Sequence, residues 1–334
     1  MRQQHLRWLD MVSTRAYRDG RLDAQGFALE EISERLADPD VIVWLDLHRG
    51  QSDELARVSE ELGLHELAVE DALHERQRPK LDRYDSHLFL SAYAVDFDRA
   101  SGELLTSEIA VFVLDRALIT VRKDDQLAID EVVTRWDASQ ELVGHGVSFL
   151  LYGLLDYIVD KHFVAVQDLD EAIEDLEDLL FEDRRQQIEL VQRRSFELRK
   201  SLVLLRRVVL PMREVVNALL RRDLHVVEDA MMPFYQDVYD HVLRASEWTE
   251  SLRDLVTTIL ETNLTIQGNR MNLIMKKVTS WAAIIAVPTA ITGFYGQNLP
   301  YPGFGKQWGF AFSTGLIIGL ASLLYVAFKR WDWL

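Results

Sequence analysis

Val278-Thr279-Ser280-Trp281-Ala282-Ala283-Ile284-Ile285-Ala286-Val287-Pro288-Thr289-Ala290-Ile291-Thr292-Gly293-Phe294-Tyr295 runs without a charged residue, and Trp308 to Phe328 does so again. Each run has the roughly 17–25 residues that a helix needs to cross a bilayer. The connection from Gly296 to Gln307 is short and rich in Gly and Pro, so two spans at about 278–295 and 308–328 are expected to form a hairpin. Arg270, Lys276 and Lys277 precede the first run, Lys329 and Arg330 follow the second, and the loop 296–307 carries only Lys306. Basic residues stay on the cytoplasmic side. Both termini and everything before residue 270 are therefore expected inside the cell membrane, with the loop outside. Trp308, Trp331, Trp333 and Tyr301 fall where amphipathic rings favour the interface.

The 334-residue chain carries a formal charge of −17 and no cysteine. The acidic balance argues against nucleic acid or anionic head groups as partners. It suits a protein that gathers cations, and equally one that is merely well solvated. Without cysteine there is no disulfide, thiolate metal site or cysteine nucleophile. Met1 to Arg21 has no apolar run, so no secretory leader is expected there.

Working back from the membrane, apolar residues recur at helical spacing from Val147 onward, which predicts helices at roughly 147–181, 184–222 and 232–295. A helix of about 60 residues is on the order of 90 Å long. Its apolar stripe needs a partner, which suggests a stalk within an oligomer. Asp168 to Asp183 packs nine acids into sixteen residues while Leu169, Ile173, Leu176 and Leu180 keep one face apolar; this is a solvated face or a diffuse cation-attracting surface. Before residue 145 the chain alternates β-rich and helical stretches. Val41 to Leu47 reads as a buried strand, Ser52 to Leu62 as a helix capped by Ser52, and His87–Val95 and Ile109–Val121 as strands, with a turn at Ser101-Gly102. The expected class is an α+β membrane protein: a cytoplasmic α/β domain (1–145), a helical stalk (146–272) and a transmembrane hairpin (273–334).

Tyr295-Gly296-Gln297-Asn298 follows the first span. Gly63-Leu64-His65, Leu67-Ala68-Val69-Glu70-Asp71 and Arg78-Pro79-Lys80 stand in the amino-terminal domain, Pro233-Phe234-Tyr235-Gln236-Asp237-Val238-Tyr239-Asp240-His241 in the stalk, and Phe328-Lys329-Arg330 to Trp333-Leu334 at the end. In this order, and over nearly the whole chain, these segments resemble the CorA family of divalent metal ion (magnesium/cobalt) transporters, whose signature at the first site is Tyr-Gly-Met-Asn.

The resemblance implies a homopentameric funnel in which the first span lines the pore and the second packs outside it. It makes Asn298 the selectivity residue, within the signature Tyr295, Gly296 and Gln297. A ring of amide oxygens can accept hydrogen bonds from a hydrated magnesium ion, which gives up its waters reluctantly, and still release it. The family's pore-lining positions fall on Asn272, Met275, Val278 or Thr279, Ala286, Thr289 and Asn298. At 100° per residue Asn272, Met275, Thr279 and Ala286 share one face, and Thr289 lies off it. Pro288 could bend the helix there by freeing the carbonyl of Ile284. Met275 and Val278 could close the path by dewetting.

The same resemblance gives Asp71 as a regulatory metal ligand and Asp237 as its partner from the neighbouring subunit, with Glu70 as a second contributor. Taken alone, Asp237, Asp240 and His241 are simply neighbours on one helix face. The expected ions are Mg2+, both regulatory and transported, with Co2+, Ni2+ or Zn2+ as further cargo. Gln297 in place of Met, and a loop without acids, move the chain toward the zinc-transporting ZntB branch of the superfamily. No ionisable residue lies within either span and no phosphate-binding loop occurs, so neither a proton relay nor ATP drive is expected. A membrane potential supplies about 4.6 kcal/mol per divalent ion per 100 mV. Rival readings are a membrane-tethered enzyme, for which no His-Glu-x-x-His or other catalytic pattern is present, and an acidic scaffold that conducts nothing.

Overall fold

The computed structural model describes residues 12–48, 51–74, 77–124, 126–139, 141–180, 185–221, 226–297 and 300–334. Asn298, and Glu182 and Asp183 of the acidic run, lie outside the described residues. The chain divides into two compact units between Ile259 and Leu260.

The first unit is built on one mixed sheet in the order β2-β1-β3-β7-β6-β5-β4. Its strands are β1 (Ser13–Arg18), β2 (Arg21–Gln25), β3 (Val41–His48), β4 (Lys80–Arg83), β5 (Leu88–Asp98), β6 (Glu103–Val113) and β7 (Ala117–Arg122). β3 and β7 pair in parallel, with Val43 opposite Ala117, and the other neighbours are antiparallel. Side chains alternate across the sheet. Val41, Val43, Leu45 and Leu47 join a core with Ile32 of α1 (Ile32–Leu36), Leu55 and Val58 of α2 (Ser52–Leu62), and Ala68 and Ala72 of α3 (Glu66–Leu73). On the opposite face Trp44 meets Trp136 of α4 (Ile129–Ala138) edge to face at 5.0 Å, and its Nε1 donates to Thr120 Oγ1 at 3.2 Å. A sheet covered on both faces explains why β3 reads as a continuous apolar run.

Two local expectations need correction. Ile109–Val121 is two strands, because Leu114 N donates to the Ala117 carbonyl at 2.9 Å and turns the chain. Asp115 and Arg116 are the sole charged residues in that stretch, too little to break the apolar pattern by eye. Ser52 does not cap α2: the cap is Gln51, whose carbonyl accepts from Leu55 N at 3.0 Å, and Ser52 is the first helical residue. The turn at Ser101-Gly102 stands where expected, with Gly102 at a φ of 73°.

Three long helices complete the unit: α5 (Gly146–Leu180), α6 (Arg185–Leu219) and the first part of α7 (Met232–Tyr295). Along α7 the buried residues include Tyr235, Val238, Val242, Ala245, Thr249, Leu252, Val256 and Ile259. Along α6 they include Val191, Ser195, Leu198, Leu202, Leu205, Val209, Met212, Val216 and Leu219. Steps of three and four alternate in both, the pattern of a coiled-coil seam. α7 is tied to α5 by the Tyr235 hydroxyl, which donates to the Ser148 carbonyl at 2.9 Å, and by Phe163 against Trp248. The stripe expected to require neighbouring copies is therefore buried within one chain as far as Ile259. The reason is that α5 and α6 fold back as a hairpin and supply the missing wall.

In the second unit the rest of α7 runs on through Pro288 without a break, because a proline removes one donor and the flanking turns hold. α8 (Gln307–Arg330) follows. Both helices are long and apolar enough to cross a membrane, and their apolar windows are almost wholly uncovered. Met271, Met275, Val278, Ile285, Phe294, Phe310 and Leu323 are all exposed, a surface that water would not tolerate and lipid or further protein would cover.

Candidate ion path and cation sensor

The turn after α7 begins where Gly296 N donates to the Thr292 carbonyl at 2.8 Å. A Cβ on Gly296 would stand 2.9 Å from that same oxygen, so only glycine closes the helix this tightly. Tyr295 packs edge-on against Tyr301 at 4.8 Å, and Tyr301 against Phe304 at 5.3 Å, which fastens the loop to the helix end. Gln297 N donates to the Phe294 carbonyl at 3.3 Å and the residue is exposed. Asn298 itself lies outside the described residues.

Down α7, Asn272, Met275, Val278, Thr279, Ala286 and Thr289 are all exposed. Asn272, Met275 and Thr279 line a single open groove of about 550 Å³, together with Asn269, Leu273, Lys276 and Trp333. Trp333 was given no role at this groove by the sequence. It reaches it because the chain folds back after α8: Trp333 N donates to the Phe328 carbonyl at 2.9 Å and the two rings stack at 5.6 Å. The aromatic spacing Phe328–Trp333 was the available signal. The Thr289 hydroxyl donates back to the Ile285 carbonyl at 3.1 Å, which leaves its oxygen lone pairs as what it presents outward.

In the first unit, Gly63 ends α2 in the left-handed region at a φ of 67°. His65 Nδ1 then accepts from Leu67 N at 3.2 Å and caps α3, with its ring stacked on Tyr84 at 4.4 Å. α3 thereby presents Glu70 and Asp71 next to edge strand β4. Pro79 precedes that strand, a place where its missing donor costs nothing. Lys80 Nζ lies 2.6 Å from Asp71 Oδ2 and 2.7 Å from Asp82 Oδ2. Partial burial lowers the Lys80 pKa, but the hydrogen bonds to Asp71 and Asp82 outweigh it and hold the ammonium above its ordinary value. Glu70, Asp71, Lys80, Asp82, Leu67, Arg83 and Tyr84 surround an open depression of about 530 Å³.

Asp237 is exposed on α7, elsewhere in the unit. Burial first, then the charges of Asp156, Asp237 and Asp160, push the Tyr152 hydroxyl up to about 12. Asp237 therefore belongs to an acidic neighbourhood on α5 and α7, where Arg135 meets Asp156 at 2.9 Å and Asp160 at 2.8 Å. Among the described residues no group of three or more His, Asp or Glu side chains is assembled to hold a metal. The donor chemistry at Asp71 fits a hard cation: its carboxylate is partly exposed and already pairs with a positive group, the Lys80 ammonium.

Residues 39–330 match the family model described as CorA-like Mg2+ transporter protein. The chain belongs to that family. The cobalt/magnesium transport protein CorA of Thermotoga maritima is 29% identical, with 97% of this chain and 95% of that protein covered. The solved structure of the CorA magnesium transporter from Methanocaldococcus jannaschii superposes with a TM-score of 0.79 over 97% of this chain and 99% of that one, at 22% identity. The zinc transport protein ZntB of Yersinia enterocolitica is more distant, 24% identical with 94% of each chain covered. The family fold is thus shared over its full length.

Proposed function

We propose that the chain assembles as a homopentamer in the cell membrane, with both termini cytoplasmic, and carries magnesium and cobalt ions inward down their electrochemical gradient. The observation that carries this reading is the exposed stripe of Asn272, Met275, Thr279 and Ala286 on α7, which is neutral along its length and continues toward the amide-bearing turn at Gln297. Five such stripes facing one axis would line a path with oxygens near its ends and apolar groups at Met275 and Val278, where dewetting can close it. Asn298 would form the selective ring at the outer mouth. The relatives named for cobalt and magnesium transport support these cargoes.

Control comes from the first unit. Asp71 of one copy and Asp237 of the next would hold a regulatory magnesium between them, with Glu70 assisting. Filled sites tie copies together; emptied sites leave no cation bridging the junction, with Asp71 returned to its ion pair within its own copy. A second reading, zinc or nickel transport of the ZntB kind, is favoured by Gln297 and by a loop 296–307 whose one charged residue is basic.

Reconstitution into vesicles decides between them. Uptake of magnesium and cobalt, independent of a pH gradient and suppressed by magnesium on the cytoplasmic side, is expected. Zinc uptake that depends on a pH gradient would replace the first reading by the second, and vesicles impermeable to every divalent ion would end both. The double variant Asp71→Ala, Asp237→Ala is expected to conduct at magnesium levels that silence the wild type.

A further inference from the structure

We propose that Lys80 is a tethered counter-ion that competes with divalent metal for Asp71 and so sets the concentration at which the sensor fills. The inference rests on the reading of Asp71 as a regulatory ligand. Lys80 and Asp82 sit two apart on β4 and share one face of the strand, and Asp71 on α3 approaches that face. The ammonium is thus held by two carboxylates at once, 2.6 Å from Asp71 and 2.7 Å from Asp82.

This forked arrangement makes exchange inexpensive. When a hydrated ion arrives at Asp71, Lys80 can retain Asp82 and neither charge is stranded. The side chains of Lys80 and Asp71 are 31% and 26% exposed, so the ion reaches the carboxylate without unfolding anything. The depression of about 530 Å³ beside them has room for an ion that keeps its waters, each of which takes roughly 30 Å³, and magnesium binds in that manner through one or two carboxylates. Lys80 also lies over the Phe89 ring at 5.6 Å, which confines its flexible stem near Asp71 and raises its local concentration against a metal in solution. When cytoplasmic magnesium falls, the ammonium takes back Asp71.

The test is limited proteolysis of the full-length protein in detergent, titrated with magnesium chloride, with the midpoint of protection as readout. Lys80→Gln should lower the midpoint by about twofold to fivefold, the range expected for a partly exposed ion pair. Lys80→Arg, which keeps the charge and the stem, should leave it at or above the wild-type value. Asp82→Asn, which commits Lys80 wholly to Asp71, should raise it. Arg83→Gln removes a charge from the same depression and leaves the Lys80–Asp71 pair in place; a shift equal to that of Lys80→Gln would overturn the proposal, as would an unmoved midpoint in both Lys80 variants. Asp71→Ala separates the two levels. If it abolishes protection while the Lys80 variants behave as wild type, the counter-ion role alone falls. If protection survives in Asp71→Ala, the regulatory reading of Asp71 falls with it.

Discussion

His162 Nε2 on α5 lies 2.7 Å from the Tyr93 carbonyl on β5, with the ring completely buried. The contact joins the long helices to the sheet. It assigns the proton to Nε2, which donates, and leaves Nδ1 without a partner. Burial pulls the imidazole down to about 4. The folded state thus binds its proton later than the unfolded chain does, so stability is full above about pH 6.5 and falls as the pH drops toward 4. The loss is on the order of 3 kcal/mol when complete. Thermal melting of the detergent-solubilised protein between pH 7.5 and 5 should show this slope. His162→Gln, which can still donate to Tyr93 but does not titrate, should flatten it.

A second contact fixes how α4 meets α5. A Cβ on Gly153 would stand 2.5 Å from Trp136 Nε1, and that nitrogen donates to the Leu150 carbonyl at 3.2 Å. Trp136 is fully buried and cannot yield. Gly153→Ala should therefore cost about 1–3 kcal/mol despite the better helix propensity of alanine. A rise in melting temperature would show that α5 shifts without penalty.

At the mouth, Gly296→Ala places a methyl group 2.9 Å from the Thr292 carbonyl. The helix end must open and displace the turn that follows it, which is the turn proposed above to be selective. Metal uptake should fall roughly tenfold, the equivalent of about 1.4 kcal/mol, while the elution volume of the oligomer stays unchanged. Normal uptake would mean that the turn tolerates the displacement.

Asn298→Ala should abolish discrimination among divalent ions with assembly preserved. Asn298→Asp should bind magnesium more tightly and pass it more slowly, since a charged oxygen holds what an amide releases. Equal flux through both variants would place selection elsewhere along α7.

Much of this architecture could be read from residue order because it rests on local periodicity. The three long helices emerged from spacing and both candidate spans from the length of their uncharged runs, and the helix ends moved by a few residues at most. What escaped were features that only tertiary packing decides. The parallel pairing of Val43 with Ala117 joins segments far apart in the chain, and no spacing rule announces it. The burial of α7 as far as Ile259 depended on α5 and α6 folding back. Lys80 stood in plain view within Arg78-Pro79-Lys80, yet its hold on Asp71 needs the approach of α3 to β4. Trp333 gained a place at the groove through a fold-back that two aromatic residues only hint at.

The first wholly apolar stretch begins at Val278, which fixes an order of events during synthesis. The sheet, the α5–α6 hairpin and the buried part of α7 leave the ribosome before any segment that lipid could hold. At roughly 5–20 residues per second, the strands have on the order of ten seconds to collapse before that segment appears. Insertion therefore begins with a folded first unit already attached. Damage to the sheet core, at Trp44 or Phe112 for instance, would expose the chain to proteolysis before its apolar segments met a bilayer.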